Sequence, residues 1–322
     1  MRALITGGCG FIGSHLAEAL LARGDHVTVV DDLSTGRFEN VRHLVGQPGF
    51  QFAIESILNE TVMDRLVSEC DIIYHLAAAV GVELVVREPI RVIETNIKGA
   101  ETIFRVAARY RTKVMLASTS EIYGKGAKVP FGEEDDRILG PTTRSRWSYS
   151  CSKAMDEFLG LAYCKQVQLP VVVLRYFNTV GPRQTGRYGM VVPRFVGQAL
   201  RDEPLTVYGD GRQSRCFGYV GDIVEATLAL ADCERAVGEV FNLGSSEEVT
   251  IAELAERTIA LCGSHSEIVY VPYEQAYEKG FEDMRRRVPD TRKVTEYTGW
   301  RHAESLDGIL KMTIAYMRQH QD

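Results

Sequence analysis

Apolar positions along the chain fall into short dense runs, separated by longer stretches in which they recur every three or four residues. ALITGG (3–8), HVTVVDD (26–32), DIIYHLAA (71–78), KVMLAST (113–119) and PVVVLRYFN (170–178) read as strands. Their nearly continuous hydrophobicity is the pattern of strands covered on both faces, hence of a parallel sheet. Between them, IGSHLAEALLARG (12–24), TVMDRLVSEC (61–70), IKGAETIFRVAARY (97–110) and YSCSKAMDEFLGLAYCKQ (149–166) carry helical spacing. Strand–helix alternation predicts an α/β fold with a doubly wound parallel sheet. After about residue 178 the alternation loosens. VVPRFVGQALRDE (191–203) and TIAELAERTIALCG (250–263) read as helices, and LTVYGDG (205–211) as a short strand and turn. We therefore expect a first domain over 1–178 and a smaller α/β lobe over 179–322, with the chain returning to the first domain at about 219–244.

Composition narrows the possibilities only a little. The 322 residues carry 37 Lys and Arg against 43 Asp and Glu, a net charge of −6, which argues against a nucleic-acid partner. The apolar runs fall short of the ~20 residues of a membrane span, and no charged-then-apolar leader opens the chain. Seven cysteines with no C-x-x-C spacing point away from a metal site or a disulfide framework. They suit a reducing cytoplasm.

Candidate chemistry comes from two places. The first is GGCGFIG (7–13), between the first strand and the first helix. Gly7 permits a tight turn, Gly10 a close backbone approach to a pyrophosphate, and Gly13 close helix–sheet packing; the helix N-terminus attracts the anion. Asp31 ends the second strand, where a carboxylate takes the adenosine ribose hydroxyls. An acid there disfavours a 2′-phosphate, so the expected cofactor is NAD. The second place is SYSCSK (148–153). It sets Tyr149 and Lys153 at i, i+4 on one helix face, so that an ammonium could lower a phenol's pKa towards working pH. Such a phenol can take a hydroxyl proton while hydride leaves for a nicotinamide. Thr119, at the end of a strand, could share the same substrate oxygen, and Glu121 follows it at once in ASTSEIYG (117–124).

These strings, with VDDLSTG, YHLAA, ETNIKGA, LRYFNTVGPRQ, LTVYGDGRQSRCFGYVGD, FNLGS and RRVPD, resemble the extended short-chain dehydrogenase/reductases that act on nucleotide sugars, the NAD-dependent epimerase/dehydratase family. The resemblance spans nearly the whole chain. It implies a Rossmann first domain, a nucleotide-sugar-binding second lobe, and a homodimer built through the helices that follow Asn96 and Tyr149. By the same resemblance Gly7, Gly10, Phe11, Ile12, Asp31 and Ala77 would contact NAD. Asn96 would lie near the cofactor ribose or nicotinamide, and Phe177 would pack on the nicotinamide end. Thr119, Tyr149 and Lys153 would form the oxidoreductive site. Ser120 would touch the substrate and Asn178 the sugar diphosphate. Val191 and Phe195 would hold the base beside Tyr208. Arg215, with one or both of Arg286 and Arg287, would grip the diphosphate. Two departures stand out. Glu55, Ser56 and Ile57 occupy the stretch where many relatives place an acid before an isoleucine at the adenine, and AAAVGVELVV (77–86) lacks the proline-rich loop of UDP-xylose synthases.

Such enzymes oxidise the sugar at C4, and the resulting ketone has three common fates. Thr-Ser-Glu resembles the UDP-glucuronate decarboxylases and also the GDP-mannose 4,6-dehydratases, and Glu121 is the residue a plain epimerase does not need. The first expectation is a UDP-glucuronate decarboxylase giving a UDP-xylose-type product. A UDP-sugar 4-epimerase acting on UDP-glucose or UDP-glucuronate comes second, and a 4,6-dehydratase third. A non-catalytic NAD-binding scaffold is the alternative from another class; the presence of Thr119, Tyr149 and Lys153 speaks against it.

Overall fold

The computed structural model of the chain describes residues 1–126, 128–186, 189–276 and 284–320. Seven parallel strands form the main sheet: β1 (Arg2–Thr6), β2 (His26–Asp31), β3 (Phe50–Ile54), β4 (Ile72–His75), β5 (Lys113–Thr119), β6 (Val171–Tyr176) and, much later in the chain, β11 (Val240–Leu243). Their spatial order is β11-β6-β5-β4-β1-β2-β3. The order reverses between β1 and β4, and a crevice opens there at the carboxyl ends of the strands.

Helices cover both faces. α1 (Phe11–Ala22) lies on one face; α2 (Glu60–Ser68), α4 (Pro89–Tyr110) and α5 (Arg146–Val167) lie on the other, with the short α3 (Val82–Arg87) leading into α4. Alternation along β1 sends Ala3 and Ile5 into the first core and Leu4 into the second. Two short strands, β7 (Thr179–Val180) and β10 (Gly218–Tyr219), pair with each other beyond β6. The other lobe carries α6 (Val191–Leu200), β8 (Leu205–Tyr208), β9 (Ser214–Cys216), β12 (Glu248–Thr250), α8 (Ile251–Cys262), β13 (Ile268–Val271), α9 (Tyr273–Ala276) and β14 (Arg286–Arg287). Its core contains Phe195, Val207, Leu254 and Leu310, the last from the C-terminal helix α11 (Leu306–Gln319). The chain returns to the main sheet through α7 (Val220–Ala231) and β11, which pairs in parallel with β6. α10 (Arg292–Thr298) then packs on α7 and β11.

Elements that the apolar pattern misses have plain causes. β3 (FQFAI) is an edge strand with a half-exposed face, so it has no dense apolar run. α4 begins at Pro89, eight residues before its apolar periodicity becomes legible at 97, because proline suits the first helical turn. The C-terminal α11, capped by Ser305 Oγ accepting from Gly308 N at 3.1 Å, is a further helix beyond those read from the pattern.

One buried ion pair ties these layers together at the sheet's working edge. Arg175 on β6 donates to Glu157 on α5, from Nε at 3.0 Å and from Nη2 at 2.8 Å. Ser118 on β5 donates to the same carboxylate at 2.5 Å. Arg175 Nη1 reaches the hydroxyl of Tyr123 at 2.8 Å, and that hydroxyl donates to Asn242 on β11 at 2.7 Å. Removing one partner leaves a lone buried charge. Arg175→Met is expected to lower stability by about 3–5 kcal/mol, measured by urea unfolding; a loss under about 1 kcal/mol would deny the pair this role.

Candidate active site

A cavity of about 560 Å³ runs from the glycine loop, over the ends of β1, β4 and β5, to the second lobe. At one end the loop between β1 and α1 is forced by contacts no side chain could share. Gly7 has φ +71°, and a Cβ on it would lie 2.8 Å from Ala77 N. A Cβ on Gly13 would lie 2.4 Å from Gly7 O. The backbone is thus bare where α1 begins, as a pyrophosphate cradle requires. Asp31 is buried; its Oδ2 accepts from Cys9 N at 3.0 Å and its Oδ1 from Leu33 N at 2.9 Å. Burial pushes its pKa up, against those two hydrogen bonds. Gly7, Gly10, Phe11, Ile12, Gly13, Asp31 and Ala77 all line this end, as do Glu55, Ser56 and Ile57. The glycine cradle and the ribose-facing acid fit NAD.

At the other end β5 stops and its last residues diverge. Strand alternation sends Ser118 down to Glu157 and Thr119 up into the cavity. Thr119 Oγ1 accepts from Glu121 N at 3.2 Å and so caps a single 3-10 turn, Ser120–Tyr123. Ile122 and Tyr123 are buried beneath that turn, which leaves Glu121 facing the cavity. Arg287 Nη1 donates to Glu121 Oε1 at 2.5 Å, and Arg146 Nη2 to Oε2 at 3.4 Å. Arg287 also donates through Nη2 to Asn178 Oδ1. Two guanidiniums therefore flank one carboxylate.

Tyr149 lies half-buried on α5, hydrogen-bonded to Thr119. Its phenol is not brought towards neutral pH. Burial and then the charge of Glu121 raise its pKa, opposed by Thr119 and Arg287. Lys153, which the sequence led us to expect to lower it, donates through Nζ to Asp156 Oδ2 at 2.7 Å. His75, under the same floor, is held down to about 3 by burial and by Lys153. Its Nδ1 is paired with Thr6 Oγ1 at 2.8 Å, so it is a neutral structural histidine.

Most expected site residues converge: Ser120, Tyr149, Lys153, Asn178, Val191, Tyr208, Arg215 and Arg287 line the same cavity. Four do not. Asn96 is buried behind the wall, where its Oδ1 accepts from Ala79 N at 2.8 Å and its Nδ2 donates to Ser152 Oγ at 3.1 Å, which ties down the loop after β4. Phe177 is fully buried with Ile122, Tyr123 and Phe131, and Tyr176 lines the cavity instead. Phe195 lies inside the second lobe's core. Arg286 and Arg287 are neighbours on a strand and so point opposite ways. Arg286 turns outward to Glu248, at 2.8 and 2.7 Å, and holds that carboxylate down at about 2.

The sequence reading did not single out Arg146, Arg194 or Gln213, all of which line the cavity. Arg194 lies over the Tyr208 ring, 4.2 Å from its centroid. Gln213 Nε2 donates to Tyr208 O at 2.9 Å, while its Oε1 is buried without a partner among the described residues. Only Arg146 had a local signal: it shares a helix face with Tyr149 and Lys153, at i, i+3 and i+7.

A dinucleotide cradle opening onto a Thr–Tyr–Lys group is the arrangement of a short-chain dehydrogenase/reductase. The chain belongs to the NAD-dependent epimerase/dehydratase family: the family model described as GDP-mannose 4,6 dehydratase matches residues 4–313. It is an enzyme of that NAD-dependent family. It is 46% identical to a UDP-N-acetyl-alpha-D-glucosaminuronate decarboxylase of Bacillus cytotoxicus, over 99% of this chain and 98% of the relative. It is 39% identical to UDP-glucuronic acid decarboxylase 1 of Xenopus tropicalis, over 99% of this chain and 72% of that one. Among solved structures, UDP-glucuronic acid 4-epimerase from Bacillus cereus, in complex with UDP-glucuronic acid and NAD, superposes with a TM-score of 0.89 at 30% identity, covering 99% of this chain and 100% of that one. Among the described residues no helix is long and apolar enough to cross a membrane.

The close fit at Gly13 is directly testable. Gly13→Ala is expected to weaken NAD binding by more than about tenfold, or ~1.4 kcal/mol, by calorimetric titration. Wild-type affinity would mean that the loop does not need its tight packing.

Proposed function

We propose that the protein is a UDP-hexuronate decarboxylase. The observation that carries this reading is Glu121, held between Arg287 and Arg146 next to Thr119 and Tyr149. Arg287 and Arg146 set two guanidiniums beside this part of the cavity, which suits a sugar that is itself anionic at C6. The 46% identity to a decarboxylase of UDP-N-acetylglucosaminuronate favours that substrate over UDP-glucuronate.

NAD, held by Gly7, Gly10, Gly13 and Asp31, would supply a reversible hydride acceptor. Tyr149, once its own proton has passed to solvent, takes the proton of the C4 hydroxyl as the phenolate, and Thr119 holds the same oxygen. Once C4 is a carbonyl, the C6 carboxylate is β to it. Carbon dioxide then leaves, and the electron pair moves onto the C4 oxygen. The hydroxyls of Tyr149 and Thr119 stabilise that enolate. Glu121, oriented by Arg287, positions the proton that returns to C5. Asn178 and Arg215 would take the diphosphate, and Tyr208 with Arg194 the base; all four line the cavity.

The test is incubation with NAD and either UDP-N-acetylglucosaminuronate or UDP-glucuronate, followed by mass spectrometry and proton NMR. Loss of carbon dioxide is the expected result. An unchanged mass with inverted C4 would instead support the second reading, a 4-epimerase, which the Bacillus cereus neighbour favours. Tyr149→Phe should bind NAD and release no carbon dioxide. Glu121→Ala should keep C4 oxidation and loss of carbon dioxide in a single turnover, while formation of the C5-protonated pentose product falls about 100-fold.

We also propose a homodimer. The neighbouring helices α4 and α5 expose Ile90, Ile93, Met155 and Phe158, with Ile90 74% and Phe158 61% accessible. Apolar stripes of this kind mark association surfaces. Sedimentation should find a dimer that Phe158→Glu weakens; an unchanged monomer in both proteins would remove the proposal. The seven cysteines are all free, which suits a cytoplasmic enzyme.

A further inference from the structure

Lys153 is joined to a carboxylate that the reaction does not use. Asp156 stands one turn along α5, and the two side chains are 3% and 1% exposed. Lys153 Nζ donates to Asp156 Oδ2 at 2.7 Å. The other oxygen, Oδ1, is buried without a hydrogen-bond partner among the described residues. Its neighbour Glu157 is already committed to Arg175 and Ser118. A half-satisfied carboxylate in the interior is costly, and burial accordingly raises the pKa of Asp156. Leucine or asparagine would fill the same space without that charge. The one group that needs the charge is Lys153, whose ammonium would otherwise stand alone among Tyr149, His75 and the cavity floor.

We propose that Asp156 is a positioning residue: it anchors the Lys153 ammonium at the floor of the active site and offsets part of its charge, so that Tyr149 stays protonated until substrate and cofactor are in place. The proposal rests on the reading of Tyr149 as the acid–base group. The charged and polar groups facing Tyr149 are Glu121 from the 3-10 turn, Thr119 from β5, Arg287 from β14 and Asp156 from its own helix. Glu121 and Asp156 favour the phenol; Thr119 and Arg287 favour the phenolate. Lys153 also faces His75 from β4. Removing the Asp156 charge takes away one of the two negative charges that favour the phenol and leaves the Lys153 ammonium, one helical turn from Tyr149, without its ion-pair partner; both changes favour the phenolate.

Asp156→Asn keeps the shape and removes the charge. The acidic limb of its kcat/KM profile should move to lower pH by roughly one unit. A limb that stays in place, or moves up, would overturn the proposal; a purely structural carboxylate would change stability and leave the limb alone. The second measurement needs no turnover. In the ligand-free protein, Asp156→Asn should lower Tm when Lys153 is present, because it leaves a lone buried ammonium. In a Lys153→Met background it should raise Tm, because there it removes a lone buried carboxylate. The same sign in both backgrounds would overturn the anchoring role. If no UDP-sugar is decarboxylated, the melting cycle still decides this question independently of the reaction.

Discussion

The working edge of this enzyme depends on the buried pair of Arg175 and Glu157. Two opposite charges out of water are tolerable only when nearly every donor and acceptor is used. Here Glu157 accepts from Arg175 and Ser118, and Arg175 also reaches Tyr123 and the carbonyl of Glu133. The Tyr123 ring stacks on Phe131, with centroids 4.7 Å apart. These bonds lock β5, β6, α5 and the 3-10 turn against one another. Thr119, Glu121 and Tyr149 belong to three of those elements, so their mutual placement follows from a network none of them enters.

A second constraint acts above that network. The ionised groups at the centre of the site have partners before any ligand is considered: Glu121 with Arg287 and Arg146, Lys153 with Asp156. Fixed opposite charges in a buried cleft are preorganised and need no rearrangement when charge develops on the sugar. Burial and the charge of Glu121 raise the pKa of Tyr149, opposed by Thr119 and Arg287.

How far the site could be read in advance varied residue by residue. The glycine loop, Asp31, Thr119, Tyr149 and Lys153 carry local signals, each at a strand end or a helix start, and all line the cavity. Arg146 was legible from helix periodicity. Phe177 differs from Tyr176 only in strand parity at the end of β6, and the core took Phe177. Phe195 and Asn96 likewise turned inward, one into the second lobe's core and the other to hold the 77–81 loop. The arginines of RRVPD show the same limit: adjacent residues on β14 face opposite sides, and pairing with β9 chose Arg287 for the cleft.

By itself the sequence determined what short-range physics can encode: strand–helix alternation, the glycine cradle, the acid that ends β2 and the Tyr-x-x-x-Lys face. Each depends on residues within a few turns or a single tight loop. Tertiary structure decided which charges neutralise which. The contacts of Glu121 with Arg287, Arg175 with Glu157, and Tyr123 with Asn242 join residues far apart in the chain. Their energies depend on burial and on ångström-scale separation, and neither exists until the sheet is assembled.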